Sequence, residues 1–228
     1  MPERFVVFSF HHIMAATVGL VVVALLLISA RRSATARPLV RATLAFLTLT
    51  AYGYSQYAWS QVDHLLTWEN ILPFHLCDIT AFLAAYALMK RKAWAQELTY
   101  YWGLAATVQA IITPALQHDF PHPTFFAFFF HHFAIIGAAL FIPLCDAWRP
   151  DRPWWRSPLR AFACVNGYLL FAFGINHALG TNFGFVAHAP ANPSLIDHLG
   201  PWPLYLGAFQ IIAAILFLLL TLAVSQKK

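Results

Sequence analysis

The chain has 228 residues, 60% of them hydrophobic and 10% charged, with a formal net charge of +5. So few charges cannot cover a water-soluble surface, which excludes a soluble globular domain and points to an integral membrane protein. The positive charge sits in clusters beside apolar runs. It therefore reports topology and attraction to anionic lipid, and no nucleic-acid partner is expected.

The first apolar stretch, residues 8–30, is long enough to span the hydrocarbon, and its cations follow it instead of preceding it. It is predicted to remain as the first helix and not to be removed as a signal peptide. Further spans are predicted at 40–60, 71–89, 95–114, 124–145, 158–177 and 202–224, each near the length of about twenty residues that a crossing helix needs. Pro73 suits the first turn of the third span, and Pro114 and Pro158 punctuate helix ends. Arg31, Arg32, Arg37 and Arg41 follow the first span, and Lys90, Arg91 and Lys92 follow the third. Arg149, Arg152, Arg156 and Arg160 follow the fifth, and Lys227 with Lys228 the seventh. Cationic loops stay cytoplasmic during insertion. The expectation is one all-α domain over 1–228, a seven-transmembrane helical bundle with its N-terminus outside and its C-terminus cytoplasmic. No internal repeat of the kind common in transporters aligns its halves.

With that direction set, none of the eleven histidines falls in a cytoplasmic loop. His11, His12, His64, His75, His118, His122, His188 and His198 lie at or beyond outer helix ends. His131, His132 and His177 lie in outer halves of the fifth and sixth spans. Histidine at membrane depth is costly unless it faces a polar cavity, so a pocket opening outward is expected. Loop histidines such as His11, His64, His118, His188 and His198 also serve simply as surface residues.

The third span carries the densest chemistry, Pro73-Phe74-His75-Leu76-Cys77-Asp78. At about 100° per residue, His75 and Asp78 lie roughly 60° apart and can pair, whereas Cys77 must find a base on another helix. Cys145 and Cys164 belong to the inner half, which leaves Cys77 a free thiol. A lone cysteine in an apolar helix otherwise packs as a small hydrophobe. As a nucleophile it requires a general base within hydrogen-bond reach, and the fifth span offers His131 and His132 at a compatible depth. Adjacent helical positions point about 100° apart, so one of the two faces the third span, and composition does not say which. Gln109 and Thr113 on the fourth span, and Asn166, Asn176 and His177 on the sixth, can orient a base or hydrogen-bond an oxyanion, or act as interhelical glue. The longest connection, residues 178–201, is rich in proline and lacks periodicity, and it is read as an outer lid over the pocket.

Five separated stretches carry a family resemblance. They are Pro73 to Asp78, Trp102-Gly103 through Gln109 to Thr113-Pro114, the aromatic run ending in His132, Asn176 with Gly180-Thr181-Asn182-Phe183, and Ser194 to Asp197 followed by Leu199-Gly200-Pro201-Trp202-Pro203. Together they resemble the YwaF-type bacterial integral membrane family over roughly residues 70–224. That family is similar to a eukaryotic multispanning cysteine-dependent acyltransferase that builds polyunsaturated ether phospholipids, and distantly to androgen-induced membrane hydrolases of lipid esters. The resemblance implies Cys77 as nucleophile and His132 as base, because His131 falls where the family pattern has a small polar residue. In the mechanism that these two suggest, His75, Asp78, Gln109, Asn176 and Asn182 are expected as orienting or oxyanion-stabilising groups. The implied activity is a membrane-embedded acyltransferase or lipid-ester hydrolase acting through a cysteine thioester. Its substrate would be a membrane phospholipid or lysophospholipid, its place a bacterial inner or plasma membrane, and it would need no cofactor and no resident metal. Two other classes fit the same residues. One is a metal-binding membrane protein using His75, Cys77, Asp78 and His132. The other is a transporter or small-ligand receptor with a histidine-lined outer cavity.

Overall fold

Ser9, Pro123, Gly180 and the capping pair Ser194/Asp197 mark where the chain starts and stops its helices. The Ser9 hydroxyl accepts from the His12 amide and opens α1, Phe10–Arg32. Pro123 occupies the first turn of α6, Pro123–Cys145, where a missing amide hydrogen costs nothing. Gly180 ends α7, Arg156–Leu179, in the left-handed conformation at φ 65° that glycine adopts without strain. The other helices are α2 (Ala36–Ser60), α3 (Trp68–Ile71), α4 (Leu76–Lys90), α5 (Ala93–Ile112) and α8 (Leu204–Val224). The computed structural model describes residues 4–62, 67–192 and 194–225. His64, Lys227 and Lys228, named above, lie outside the described residues.

Among the described residues the fold is all-helical, and five helical segments are long and apolar enough to cross a membrane: α1, α3 with α4, α6, α7 and α8. α2 and α5 match them in length but carry more polar residues, among them Ser55, Gln56, Gln96 and Glu97. α6 is the central helix, packed against α1, α2, α4 and α5, while α7 and α8 lie to one side. Its core face of small and branched residues, Ala134, Ile135, Ala138 and Ala139, lets neighbours approach closely, as membrane helices do without a hydrophobic force between them. At Gly19 of α1 an added Cβ would stand 2.2 Å from the Phe133 ring of α6. Gly19→Ala is therefore expected to cost about 1–3 kcal/mol, read as a lowered unfolding midpoint in detergent.

The cation clusters meet at one end of the bundle. Arg41 and Arg91 both reach Asp146 at the end of α6, and Arg160 of α7 grips Glu97 of α5 through two hydrogen bonds of 2.9 and 2.6 Å. We call this the basic end. The opposite end carries the histidines, with His11 on Asp119 at 3.2 Å and the His118 and His122 rings 4.3 Å apart. Burial and the neighbouring His118 both hold the His122 imidazole below its ordinary pKa. His12 is spent on structure, accepting from the Phe8 amide and meeting the Ile111 carbonyl at 2.8 Å.

The third span departs from expectation. It does not begin with Pro73 in its first turn, because the chain runs non-helically from Leu72 to His75 and α4 starts only at Leu76. Proline both removes a hydrogen bond and disfavours helix at the residue before it, so Pro73 interrupts the span instead of opening it. Freed carbonyls inside a membrane protein need partners from elsewhere. Gln56 Nε2 donates to Asn70 O at 2.7 Å, Tyr52 Oη donates to Ile71 O, and Tyr168 Oη donates to Phe74 O at 3.1 Å. Side chains of α2 and α7 thus hold the break open.

Candidate functional site

The break turns the amino end of α4 toward the interior. His75 is the N-cap, and the first helical bond runs from the Ile79 amide to the His75 carbonyl at 3.2 Å. The amides of Leu76, Cys77 and Asp78 precede that bond and have no carbonyl a turn earlier to receive them. An interrupted membrane helix of this kind presents donors to whatever occupies the space in front of it.

That space is a cavity of about 420 Å³, within the range of ligand pockets and walled mainly by apolar side chains. His75, Cys77 and Asp78 of α4 line it, with Gln109 of α5 and His131 and His132 of α6. Trp102, Val165 and Phe217 line it nearer the basic end, and Gly184, Phe185 and Ile196 of the connection after α7 line it from the opposite side. The connection over residues 178–201, expected as an outer lid, folds into two short turns, Phe183–Phe185 and Leu195–His198, and both contribute to the cavity wall.

Three side chains converge at the amino end of α4. A ring nitrogen of His131, the Cys77 sulfur and an Asp78 carboxylate oxygen all lie within 4.8 Å of one another. His131 Nδ1 stands 3.8 Å from Asp78 Oδ1, and His131 Nε2 is buried with no hydrogen-bond partner among the described residues. Asp78 meets the backbone amide of His75 and not its imidazole, the partner that the spacing suggests. His75 turns outward to Glu69, 4.0 Å away, and packs edge-on against Phe183.

His132, expected to be the base, lines the same cavity but engages its own helix. Its Nδ1 meets the Phe128 carbonyl at 2.7 Å and its ring stacks on Phe128 with centroids 4.1 Å apart. Of the two adjacent imidazoles, His131 is the one that meets α4. Gln109 lines the cavity while donating to the Ala105 carbonyl at 2.8 Å.

Asn176 and Asn182, expected as oxyanion or orienting groups, are not among the lining residues and instead fold the lid. Asn176 donates to Phe183 O at 2.9 Å and accepts from the Phe183 amide and the Thr181 hydroxyl. Asn182 accepts from the Ala187 and His188 amides, and its own amide donates to Glu69 Oε2 at 2.9 Å. Asn166 donates back to its own helix, and His177 is exposed and faces away from the cavity. All three cysteines are free.

Four cavity residues carried no signal in the sequence reading. Glu69 anchors the lid, and Gln56 and Tyr168 hold the break. Gln210 lines the cavity from α8 and has no hydrogen-bond partner among the described residues. Glutamine and glutamate inside predicted apolar spans are the one feature that could have flagged Gln56 and Gln210, since polar groups at membrane depth are rarely idle.

A family model described as the TMEM164 family matches residues 7–221, which covers α1 to α7, all but the last three residues of α8, and the whole cavity lining. No curated protein and no solved structure matches the chain.

Proposed function

We propose that this chain, which belongs to the TMEM164 family of multispanning membrane proteins, is a membrane acyltransferase or lipid-ester hydrolase that carries its acyl group on Cys77. The observation that carries this reading is the convergence of the Cys77 thiol, the His131 imidazole and the Asp78 carboxylate within 4.8 Å at the start of an interrupted helix in an apolar cavity.

The chemistry follows from those positions. A ring nitrogen of His131 takes the Cys77 proton, and the sulfur forms a bond to the ester carbonyl carbon. The Asp78 carboxylate steadies the imidazolium. The oxyanion that develops faces the amides of Leu76 to Asp78, fixed dipoles that need no reorganisation. The carbon–oxygen bond then breaks, the leaving alcohol takes the proton from His131, and a thioester remains. A lysolipid hydroxyl or water attacks that thioester, gives its proton to His131, and the sulfur leaves to recover it. Apolar walls suit an acyl chain. In the same reading the bundle crosses the plasma membrane seven times with its basic end cytoplasmic, so the cavity serves the outer leaflet and meets phospholipid or lysophospholipid there.

The test is to trap the acyl group. Purified protein in phospholipid nanodiscs is expected to carry a hydroxylamine-labile acyl adduct on Cys77, seen by intact and peptide mass spectrometry. Cys77→Ala should lose the adduct and the turnover while keeping its helical circular dichroism. Turnover retained in Cys77→Ala would remove the covalent route.

A second reading rests on the same three side chains, because a thiolate, a carboxylate and an imidazole within 4.8 Å are also a competent donor set for zinc. Zinc would use three protein ligands and leave one position for substrate or water. Stoichiometric zinc in purified protein, lost in His131→Ala, would favour it over the thioester.

A further inference from the structure

α8 is fastened at its two ends and stands off α5 between them. At the basic end Tyr100 Oη donates to Leu220 O at 2.8 Å, and Tyr101 Oη meets Thr221 Oγ1 at 2.7 Å. At the opposite end Tyr205 Oη donates to Phe185 O at 2.6 Å, and Trp202 Nε1 donates to Val186 O at 3.0 Å. Between these ties, Phe209, Gln210 and Ile212 of α8 and Ala106, Gln109 and Ala110 of α5 all line the cavity, and every one of them keeps partial exposure. Partly exposed cavity-lining residues on both facing helices, between two sets of ties, are what an opening between those helices leaves. This one lies in the side of the bundle, where a membrane protein meets hydrocarbon and not water.

We propose that the slot between α5 and α8 is the route by which the acyl chain of a membrane lipid reaches the cavity sideways from the bilayer, with Gln210 hydrogen-bonding the chain's ester carbonyl. The slot is apolar apart from its two glutamines. Gln109 already gives a hydrogen bond to its own helix, whereas Gln210 has none among the described residues. An amide at this depth is costly when unpaired, and a passing ester carbonyl supplies the acceptor it lacks. A chain that follows the slot inward arrives at Cys77, His131 and Asp78. The route rests on the acyl-transfer reading for its destination only.

The test uses the full chain carrying Cys77→Ala, so no acyl transfer can contribute. Nanodiscs of phosphatidylcholine are doped with phosphatidylcholine bearing a diazirine in its acyl chain, irradiated, and mapped by peptide mass spectrometry. Adducts are expected on Phe209, Ile212 and Ala106, beside the unavoidable ones on Ile211 and Ile215, which face outward from α8. Ala213→Trp, which fills the slot from α8, should abolish the first set and leave the second intact. Ala110→Trp fills it from α5 and should do the same. Gln210→Leu should erase any preference of these sites for the acyl ester over a diazirine alkane of equal length. Adducts confined to Ile211 and Ile215 would overturn the route, as would Phe209 labelling unchanged in both blocking variants. Labelling that follows this pattern in a protein whose wild type never acylates Cys77 would keep the route and remove the chemistry.

Discussion

His131→Ala is expected to slow acylation of Cys77 by about 10²–10⁴-fold, the usual worth of a positioned general base, while His132→Phe leaves most of it. Both side chains are buried and both line the cavity, so burial alone does not separate them. What separates them is direction. His131 brings one nitrogen to 3.8 Å from Asp78 and leaves the other without a partner, whereas His132 is committed to the Phe128 carbonyl and stacked on its ring. Phenylalanine at 132 keeps that stacking, which makes the comparison one of chemistry and not of packing. Asp78→Asn keeps the volume beside His131 and removes the charge, and it should fall between wild type and His131→Ala. The measurement is the rate of adduct formation in nanodiscs, followed by mass spectrometry. Loss in His132→Phe with survival in His131→Ala would move the base to the other ring and undo the proposed triad.

The positions of the long helices were legible because membrane crossing imposes a length and a composition that a linear reading detects. Predicted 124–145 became Pro123–Cys145, and predicted 158–177 became Arg156–Leu179. The cluster around Cys77 was partly legible for a related reason, since a thiol beside a carboxylate stands out in an apolar run, and both side chains line the cavity. The break before it was not. Pro73 is compatible both with the first turn of a helix and with the interruption of one, and the difference lies in Tyr52, Gln56 and Tyr168, which come from helices distant in sequence. The choice between His131 and His132 was equally out of reach, because it depends on how α6 is rotated about its axis, and a helix apolar on nearly all faces gives no periodic signal for rotation. Asn176 and Asn182 were singled out for chemistry and hold the lid instead. Residue type marks a hydrogen-bonding group without naming its partner.

That division makes the connection after α7 testable apart from the cluster of Cys77, Asp78 and His131. Asn176 is buried and makes three hydrogen bonds, two of them to the backbone of Phe183. Phe183 in turn packs against Phe74 in the break and against His75 at the N-cap of α4. Asn176→Ala would strand the Phe183 amide and carbonyl and the Thr181 hydroxyl, at a cost of about 1–3 kcal/mol for each buried group left unpaired. A net loss of about 3 kcal/mol in local opening corresponds to roughly a hundredfold faster amide exchange, since each 1.4 kcal/mol is tenfold. Hydrogen exchange should therefore accelerate across residues 181–188 and spread to 72–76, while α6 stays protected. Asn176→Asp keeps the acceptor for Phe183 and Thr181 but sets an oxygen against the Phe183 carbonyl and buries a charge, so it should restore protection only where its carboxyl is protonated and can donate. The level of the proposed Cys77 adduct should fall as exchange rises, because an unfastened connection releases Phe183 from the face of His75 and admits water to the thioester. Unchanged protection at 181–188 in Asn176→Ala would mean that the connection is held by its own turns, with Asn176 contributing no closure.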